Sequence, residues 1–298
     1  MSNPRVWLVT GASSGFGRLM SELVLSKGDI AVATARKPET LDDLKIKYSP
    51  SKLLVLKLDV THAQEIKDVF TKIKETFGRL DVVFNNAGYS TLGEVEATPE
   101  DVARGLFDTN FWGATNVSLE AVTFFREENK PAGGRLIINS SEMGVHSVAA
   151  CGFYSATKHA LEGISSALAQ ELNPEWNIKV TLVEPGTFRT EVLVKLGDGY
   201  SHPAYTKPTL LSNIIRAITH DKNLKQGDAS KGVEKIYTLS LLPEPPFRLP
   251  LGKDALEMVR EEANSILEDV SKYESWSEGL DFDALEGVTC RVRKMPKS

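Results

Sequence analysis

The sequence predicts an α/β fold: one doubly wound parallel sheet of about seven strands, flanked by helices, in a single domain. Short runs of strand character alternate along the 298 residues with longer stretches that carry apolar residues at helical spacing. A glycine-rich turn directly follows the first strand segment. With 41% hydrophobic residues and no internal linker, the chain can bury one large core.

The predicted elements follow one another in a regular order. The first strand is expected near residues 5–10, and the others near 29–35, 53–58, 81–84, 134–139, 178–184 and 246–252. Helical patterns lie between them, near 18–28, from about 39, and near 63–78, 100–127, 152–172, 227–241 and 252–276. Such alternation favours a parallel sheet, whose ligands bind outside the carboxyl ends of the strands.

The turn after the first strand has the sequence TGASSGFG. Gly11 permits a tight turn, Gly15 lets a phosphate approach the backbone, and Gly17 lets the next helix pack closely on the strand. The helix N-terminus adds N–H groups that bind anions. The spacing is TGxxxGxG rather than GxGxxG, so a turn that simply needs glycine is the alternative reading of this segment.

Tyr154 and Lys158 stand four residues apart in YSATK on one predicted helix face, and Ser141 lies thirteen residues upstream. A free phenol has a pKa of about 10, which is too high for acid–base work near neutral pH. An ammonium group one helical turn away stabilises the phenolate, as does a cationic nicotinamide ring. The three residues predict proton transfer coupled to hydride transfer. By itself, the YxxxK spacing is also typical of an ordinary amphipathic helix.

Six motifs in this order resemble those of the classical short-chain dehydrogenases/reductases: TGASSGFG, NNAG at 85–88, Asn110, Ser141, YSATK and PGTFRT at 185–190. The match covers about residues 5–250. It implies a Rossmann-type fold, an NAD(P)-dependent oxidoreductase acting on CH–OH groups, and a catalytic tetrad of Asn110, Ser141, Tyr154 and Lys158. In that family the serine orients the carbonyl oxygen, the lysine bonds the nicotinamide ribose, and the asparagine holds a water that joins the lysine to solvent.

The chain departs from the family pattern in three places. Asn139 replaces an aliphatic strand residue, VAACGF at 148–153 precedes the tyrosine, and the C-terminus is extended. The first two put the shape of the substrate pocket in doubt. We expect a catalytic domain over 1–273, with a substrate lid at about 191–226, for which an irregular surface connection is the alternative. An extension over 274–298 is expected to be weakly ordered from about Asp281.

The cofactor is expected to be NADP(H). Arg36 and Lys37 end the second strand, where NAD-specific folds place an acid for the ribose 2′-hydroxyl. A guanidinium can instead hold a 2′-phosphate with two hydrogen bonds, assisted by Ser13. A solvated basic turn is the alternative. The cofactor-binding residues implied by the family pattern are Gly11, Ser13, Ser14, Gly15, Phe16, Gly17, Arg36, Lys37, Asp59, Val60, Asn86, Ala87, Gly88, Tyr154, Lys158, Pro185, Gly186, Phe188 and Thr190.

The expected substrate pocket is mostly apolar, which favours a hydrophobic aldehyde, ketone or secondary alcohol without a required charge. Its candidate residues, each of which could equally be core, are Met143, Val145, Phe153, Phe188, Val192, Leu193 and Leu196. Cys151 precedes the tyrosine by three residues and is read as a small buried hydrophobe, with a reactive thiol as the alternative.

Composition excludes several other classes. A net charge of −5 gives no electrostatic case for a nucleic-acid partner. Two cysteines form no disulfide framework, no apolar run approaches eighteen residues, and five histidines show no metal-ligand spacing. We therefore expect a cytoplasmic protein with no metal site and no membrane partner. The resemblance implies a homodimer or homotetramer through helices near 100–127 and 152–172, although monomers exist in the family.

Three functional hypotheses follow. The first is NADPH-dependent reduction of an aldehyde or ketone, with Tyr154 as the general acid/base. The second keeps the fold and runs in the oxidative direction, as an alcohol or hydroxysteroid-like dehydrogenase. The third is a dinucleotide-sensing protein without turnover, which would need the glycine-rich turn but not the tyrosine and lysine.

Overall fold

The computed structural model describes residues 3–190, 199–221 and 224–280. The strands are β1 (Val6–Val9), β2 (Ile30–Ala35), β3 (Leu53–Lys57), β4 (Val82–Asn85), β5 (Gly134–Asn139), β6 (Ile178–Pro185) and β7 (Arg248–Leu251). The helices are α1 (Gly15–Ser26), α2 (Asp42–Lys47), α3 (Ala63–Phe77), α4 (Glu100–Phe107), α5 (Ala114–Glu127), α6 (Gly152–Glu171), α7 (Leu211–His220), α8 (Ala229–Leu239) and α9 (Lys253–Tyr273). The element order confirms the predicted alternation.

The seven strands form one parallel sheet in the order β3-β2-β1-β4-β5-β6-β7. The strand order reverses between β1 and β4, so the loops after these two strands diverge to opposite faces. A crevice at the carboxyl edge is expected at such a switch point. The predicted doubly wound sheet is confirmed, and the loops that carry the candidate site all leave its carboxyl edge.

Side chains on successive β1 residues point to opposite faces and enter two separate cores. Val6 and Leu8 pack in a cluster with apolar residues of α3 and α5, such as Ile73. Trp7 and Val9 pack in a second cluster with residues of α1 and α8. Because both faces are covered, the strand is a continuous apolar run, as is typical of a parallel sheet.

Two local predictions differ from the structure. The helix expected from about Glu39 begins at Asp42, since Lys37 is extended and Pro38 starts a 3₁₀ turn over Pro38–Leu41. The expected lid at about 191–226, for which the sequence predicted no helix, contains helix α7, whose apolar residues recur at helical spacing. Residues 191–198 and 222–223 of the expected lid, and the tail from Asp281, lie outside the described residues.

The chain divides into two compact units, and the first, 1–259, contains the whole sheet. The second begins at Arg260 and includes the C-terminal part of α9 and a 3₁₀ turn over Glu274–Ser277. Ile266, Leu267 and Val270 of this second unit are exposed. The domain boundary expected after residue 273 stays a prediction.

Candidate functional site

The glycine-rich turn joins β1 to α1 at the carboxyl edge. Gly11 and Gly15 have φ angles of +66° and +54°, which favour glycine over residues with a Cβ. A Cβ on Gly17 would overlap the carbonyl oxygen of Gly11, so only glycine lets α1 pack this closely on the turn. Ser14, the N-cap of α1, makes no capping hydrogen bond with its side chain. The first N–H groups of α1 therefore receive no side-chain cap from it, as an anion-binding helix end requires.

The NNAG segment after β4 is tied to the same turn through Thr10. The hydroxyl oxygen of Thr10 accepts hydrogen bonds from the backbone N–H groups of Asn86 and Ala87, at 2.8 and 2.9 Å. The Asn86 side chain donates to the carbonyl oxygen of Thr10 at 2.9 Å. These bonds hold the loops after β1 and β4 together on both sides of the switch point, with Gly88 against Asn110.

Asn110 lies in a π-helical turn, Asp108–Gly113, between α4 and α5. Its side chain is buried, and its Nδ2 donates to the carbonyl oxygen of Tyr89 at 2.8 Å and to the hydroxyl of Thr157 at 3.2 Å. Its Oδ1 accepts from the Tyr89 N–H at 3.0 Å. Single π turns inside helices are frequent at functional sites. Here the turn places Asn110 against α6, and its family role stays a prediction.

Lys158 is buried on α6, and its Nζ donates to the carbonyl oxygen of Asn139 at 2.8 Å. Burial lowers the pKa of this ammonium group to about 8, and the nearby charge of Glu162 opposes that fall. The Nζ atom lies 5.7 Å from the centroid of the Tyr154 ring. The ammonium group therefore lies over the face of the tyrosine ring, and its action on the phenol stays a prediction.

Asn139, the unusual residue at the end of β5, supplies more than this carbonyl. Its Nδ2 donates to Oδ1 of Asn86 at 3.0 Å, which links β5 to the NNAG loop. Its own Oδ1 is buried and has no hydrogen-bond partner among the described residues. A buried acceptor without a partner costs free energy, and a ligand hydroxyl would satisfy it.

Tyr154 stands in the first turn of α6, with Ser141 beside it. Burial raises the pKa of its phenol, and the charge of Glu142 raises it further, whereas a hydrogen bond with Ser141 lowers it. The phenol is consequently protonated at neutral pH in the protein alone. A proton donor in this state suits the reduction of a carbonyl group.

Ser141 caps a three-residue 3₁₀ turn, Glu142–Gly144, that follows β5. Its hydroxyl accepts from the Met143 N–H at 3.2 Å and bonds to Oε2 of Glu142 at 3.0 Å. The Glu142 carboxyl is buried, which raises its pKa to about 7. Sequence reasoning missed this residue. The available signal was an acid directly after the candidate catalytic serine.

Arg36 and Lys37 follow β2 and are exposed at the same edge as the glycine-rich turn, where Ser13 is also exposed. Arg36 lies close enough to Asp59 for its charge to act on that carboxyl. Burial raises the pKa of Asp59, but hydrogen bonds from Thr61 and, to a smaller extent, the charge of Arg36 leave it lowered overall. Val60 is buried against Gly113. Arg36 is thus an exposed cation near Asp59, and its contact with a 2′-phosphate stays a prediction.

The loop after β6 carries Pro185, Gly186, Phe188 and Thr190. The ring of Phe188 packs edge-on against Phe16, with the centroids 5.2 Å apart, and belongs to the core beside α8. Phe188 is also a pocket candidate in the sequence, but its side chain instead anchors the loop on α1. Thr190 lies next to Gly15 of the glycine-rich turn. The Thr187 N–H donates to Asp254 at 2.6 Å, which fixes the turn at Gly186.

The candidate pocket residues are only partly described. Met143 packs on a small cluster of Leu92, Ala150 and Cys151, and Val145 and Phe153 are partly buried. Val192, Leu193 and Leu196 lie outside the described residues. Burial raises the pKa of the Cys151 thiol to about 11, so its thiolate is scarce at neutral pH. These facts favour a small buried hydrophobe at Cys151 over a reactive thiol.

The residues at the carboxyl edge fit a dinucleotide. The N-terminus of α1 has no side-chain cap, the turn is too tight for any residue but glycine at 17, and Asn139 offers an acceptor without a partner. A depression of about 530 Å³ also lies at the opposite edge, beside Arg5, Asp81 and Gly134, but it contains none of the tetrad residues. Doubly wound sheets bind ligands at the carboxyl edge, so we assign the site there.

Metal ligation and membrane spanning find no support in the described ranges. Residues 3–190, 199–221 and 224–280 contain no group of three or more histidine, cysteine, aspartate or glutamate side chains arranged to hold a metal ion. None of the helices in the described part of the chain has both the length and the apolar composition needed to cross a membrane.

Known proteins of one family are similar to this chain in sequence and in fold. The sequence model of the short chain dehydrogenase family matches residues 5–201. An uncharacterized oxidoreductase of Schizosaccharomyces pombe is 34% identical over 288 residues, which cover 95% of each chain. The crystal structure of a short-chain dehydrogenase from Streptomyces avermitilis is 35% identical, with a TM-score of 0.82 over 95% of this chain and 100% of that one. A short chain dehydrogenase/reductase of Burkholderia phymatum, solved in complex with NAD, has the same fold at 20% identity and a TM-score of 0.73, covering 89% and 95% of the two chains.

Proposed function

The chain belongs to the short-chain dehydrogenase family of oxidoreductases, and we propose that it reduces a hydrophobic aldehyde or ketone to an alcohol with NADPH. The observation that carries the proposal is the convergence of Ser141, Tyr154 and Lys158 beside the glycine-rich turn. A protonated phenol, a hydroxyl and a buried ammonium group meet there at the carboxyl edge of the sheet. These are the groups that a carbonyl reduction requires around the carbonyl oxygen.

The dinucleotide would lie across the switch point of the sheet. The α1 N-terminus and the turn at Gly15 would hold its pyrophosphate, and Asn86 to Gly88 would line the ribose side. Asn139 and Lys158 offer an acceptor and a donor close together for a ribose hydroxyl. The loop after β6 would present its backbone at Phe188 and the Thr190 hydroxyl to the carboxamide. When bound, the nicotinamide supplies the hydride.

The side chains of the protein would orient the substrate carbonyl and transfer the proton. Ser141 would hold the carbonyl oxygen towards Tyr154, whose phenol gives it a proton as negative charge develops there. The resulting phenolate is stabilised by the Lys158 ammonium group nearby. Since the pKa of that ammonium group is already lowered by burial, Lys158 can release a proton towards Tyr154 more readily than an exposed lysine could. Asn110 would hold the water through which this proton is replaced from solvent.

Arg36 supports NADP over NAD in this proposal. The residue at the end of β2 is a cation rather than an acid, and it lies beside Asp59 at the expected adenosine end of the site. An acid at this position would repel a 2′-phosphate, whereas a guanidinium attracts it. Cytoplasmic location and assembly into a homodimer or homotetramer stay predictions.

The same residues can run the oxidation of an alcohol, with Tyr154 accepting the proton, so the direction needs a measurement. We would screen hydrophobic aldehydes, ketones and secondary alcohols with NADPH, NADH and their oxidised forms. The proposal expects turnover of carbonyl compounds with NADPH, at least tenfold above NADH in kcat/KM. Tyr154→Phe should retain cofactor binding and lose at least about a thousandfold in kcat, because only the phenolic proton is removed. Turnover of this variant within tenfold of wild type would contradict the mechanism.

A further inference from the structure

Glu142 is a buried acid that the proposed reaction does not use. It follows Ser141 directly, in the 3₁₀ turn Glu142–Gly144, and its side chain is turned back onto the serine, with Oε2 3.0 Å from the Ser141 Oγ. The residue is 5% exposed. Its carboxyl therefore meets the group that is expected to hold the substrate oxygen.

A hydroxyl group has one proton to donate and can accept two hydrogen bonds. The Ser141 hydroxyl already accepts from the Met143 N–H at 3.2 Å. Its hydrogen bond with the Tyr154 phenol would be given up when that phenol donates to the substrate oxygen. An ionised carboxylate can only accept, so while Glu142 is charged, the bond between them takes the single proton of Ser141. A substrate carbonyl oxygen can also only accept. The carboxylate and the carbonyl consequently compete for one proton.

Protonation of Glu142 removes this competition. A neutral carboxyl donates its own proton to the Ser141 oxygen and satisfies the second accepting position. The Ser141 proton is then free for the substrate. We propose that Glu142 is a positioning residue that shares a proton with Ser141 and thereby determines whether the serine hydroxyl can donate to the substrate oxygen. The inference rests on the proposed carbonyl reduction.

The groups around Glu142 allow both forms near neutral pH. Burial raises its pKa to about 7, and the charge of Asp254 at the start of α9 acts in the same direction, whereas the bond from Ser141 opposes it. Tyr154 and Cys151, at the start of α6, are the other titratable groups that its charge influences. His146 Nδ1 lies 3.0 Å from the backbone oxygen of Glu142 rather than from its carboxyl. Among these described neighbours, no cation directly contacts the Glu142 carboxyl.

The rate of carbonyl reduction should therefore depend on pH through the protonation state of Glu142, which controls donation by Ser141. Below the pKa of Glu142, the Ser141 hydroxyl can donate to the substrate oxygen. This ability is lost as the pH rises through that pKa. With a single titrating group near pH 7, kcat/KM for reduction of 4-nitrobenzaldehyde should fall about tenfold between pH 6 and pH 8. Glu142→Gln keeps the shape, donates through its amide to the Ser141 oxygen and does not ionise. The tenfold fall should then be lost, because no group at position 142 titrates in the variant.

The experiment compares these pH profiles in wild type, E142Q and the exposed control E100Q, whose profile should match wild type. In parallel, the glutamate side-chain carboxyl carbons of the whole protein are labelled with ¹³C and titrated by NMR, in wild type and in Ser141→Ala. Loss of the serine bond should move the titration midpoint of the Glu142 carboxyl upwards. This second measurement needs neither turnover nor a folded E142Q variant.

The proposed carbonyl reduction and the proposed role of Glu142 are contradicted by different results. Activity of Tyr154→Phe close to wild type would contradict the proposed function. A Tyr154→Phe variant without activity, together with an E142Q profile identical to wild type, would overturn the role of Glu142 alone. A Glu142 carboxyl that titrates as an exposed glutamate does, or that ignores the loss of the Ser141 hydroxyl, would overturn it as well.

Discussion

The Nζ atom of Lys158 lies 2.8 Å from the carbonyl oxygen of Asn139, the last residue of β5. This bond joins the middle of α6 to the carboxyl edge of the sheet and fixes where the ammonium charge lies. The Tyr154 ring is on one side of that charge, with its centroid 5.7 Å away. The unpartnered Oδ1 of Asn139 belongs to the residue that accepts the bond. Lys158 therefore lies close both to the Tyr154 ring and to Asn139, the residue with the unpartnered acceptor.

Replacing Lys158 should weaken two properties together. Lys158→Met keeps the length of the side chain and removes the charge that stabilises the phenolate and the donor for the cofactor ribose. We expect kcat to fall at least about a hundredfold and the Kd for the dinucleotide to rise about tenfold, as loss of a hydrogen bond from a charged group predicts. Stopped-flow kinetics and calorimetric titration measure the two effects. Lys72→Met, on the exposed side of α3, should change neither, and a normal Kd in Lys158→Met would remove the ribose contact.

The tight approach of α1 to its own turn predicts a steric effect at Gly17. In Gly17→Ala, the new methyl group would overlap the Gly11 carbonyl, which cannot move away as a flexible side chain could. We expect a loss of stability of about 2 kcal/mol and a clear loss of dinucleotide binding, because the turn must open. Gly163→Ala on α6 is the matched control, since nothing lies within 4 Å of the place that its methyl group would take. That variant should gain about 0.5–1 kcal/mol. Urea unfolding distinguishes the two, and equal stabilities would contradict the argument.

The sheet could be predicted because apolar strand segments and the residues of tight turns are recognisable from short stretches of sequence and recur along the chain. The run at β1 is apolar on both faces, and the turn at Gly11 to Gly17 uses glycine where positive φ angles or close packing require it. The role of Glu142 was not predictable, since it depends on the direction in which a short turn folds its side chain back onto Ser141. Helix α7 was missed because glycines and prolines precede it. For Phe188 the sequence left pocket and core equally open, because the partner that decides between them, Phe16, is distant in sequence.

A buried ion pair fixes α7 to the loop after β4. Arg216 donates through both terminal nitrogens to the two carboxylate oxygens of Glu94, and the carboxylate is 5% exposed. The hydrogen bond from Arg216 lowers the pKa of Glu94 to about 2 from an ordinary value of 4.5. A lowered pKa in the folded state means that the stabilisation is present above about pH 4.5 and is lost as the pH falls towards 2.

Arg216→Met should therefore destabilise the protein in a pH-dependent way. At pH 7 it leaves a buried carboxylate without its partner, which costs about 3 kcal/mol in comparable pairs. The difference from wild type should shrink below pH 4.5, where Glu94 in the variant becomes protonated. Urea unfolding across this pH range measures it. Arg104→Met breaks the exposed pair with Glu100 and should cost little at any pH. A constant difference for Arg216→Met would mean that lost packing, and not charge, is responsible.

The cofactor preference depends on one charge at the end of β2. Arg36 is exposed there and acts on Asp59 across the expected adenosine site. A charge-assisted contact with a phosphate contributes about 1.5–3 kcal/mol, which is roughly one to two decades in affinity. An aspartate at the same position would lose this attraction and add a repulsion.

Arg36→Asp should therefore reverse the cofactor preference. We expect wild type to favour NADPH over NADH by at least about tenfold in kcat/KM, and the variant to favour NADH, because only NADPH carries the 2′-phosphate. Steady-state kinetics with both cofactors at one fixed ionic strength provide the test. Lys72→Asp makes the same charge change on the exposed face of α3 and should leave the ratio unaltered. An unchanged ratio in Arg36→Asp, or equal use of the two cofactors by wild type, would mean that Arg36 faces solvent and that no phosphate site exists at this strand end.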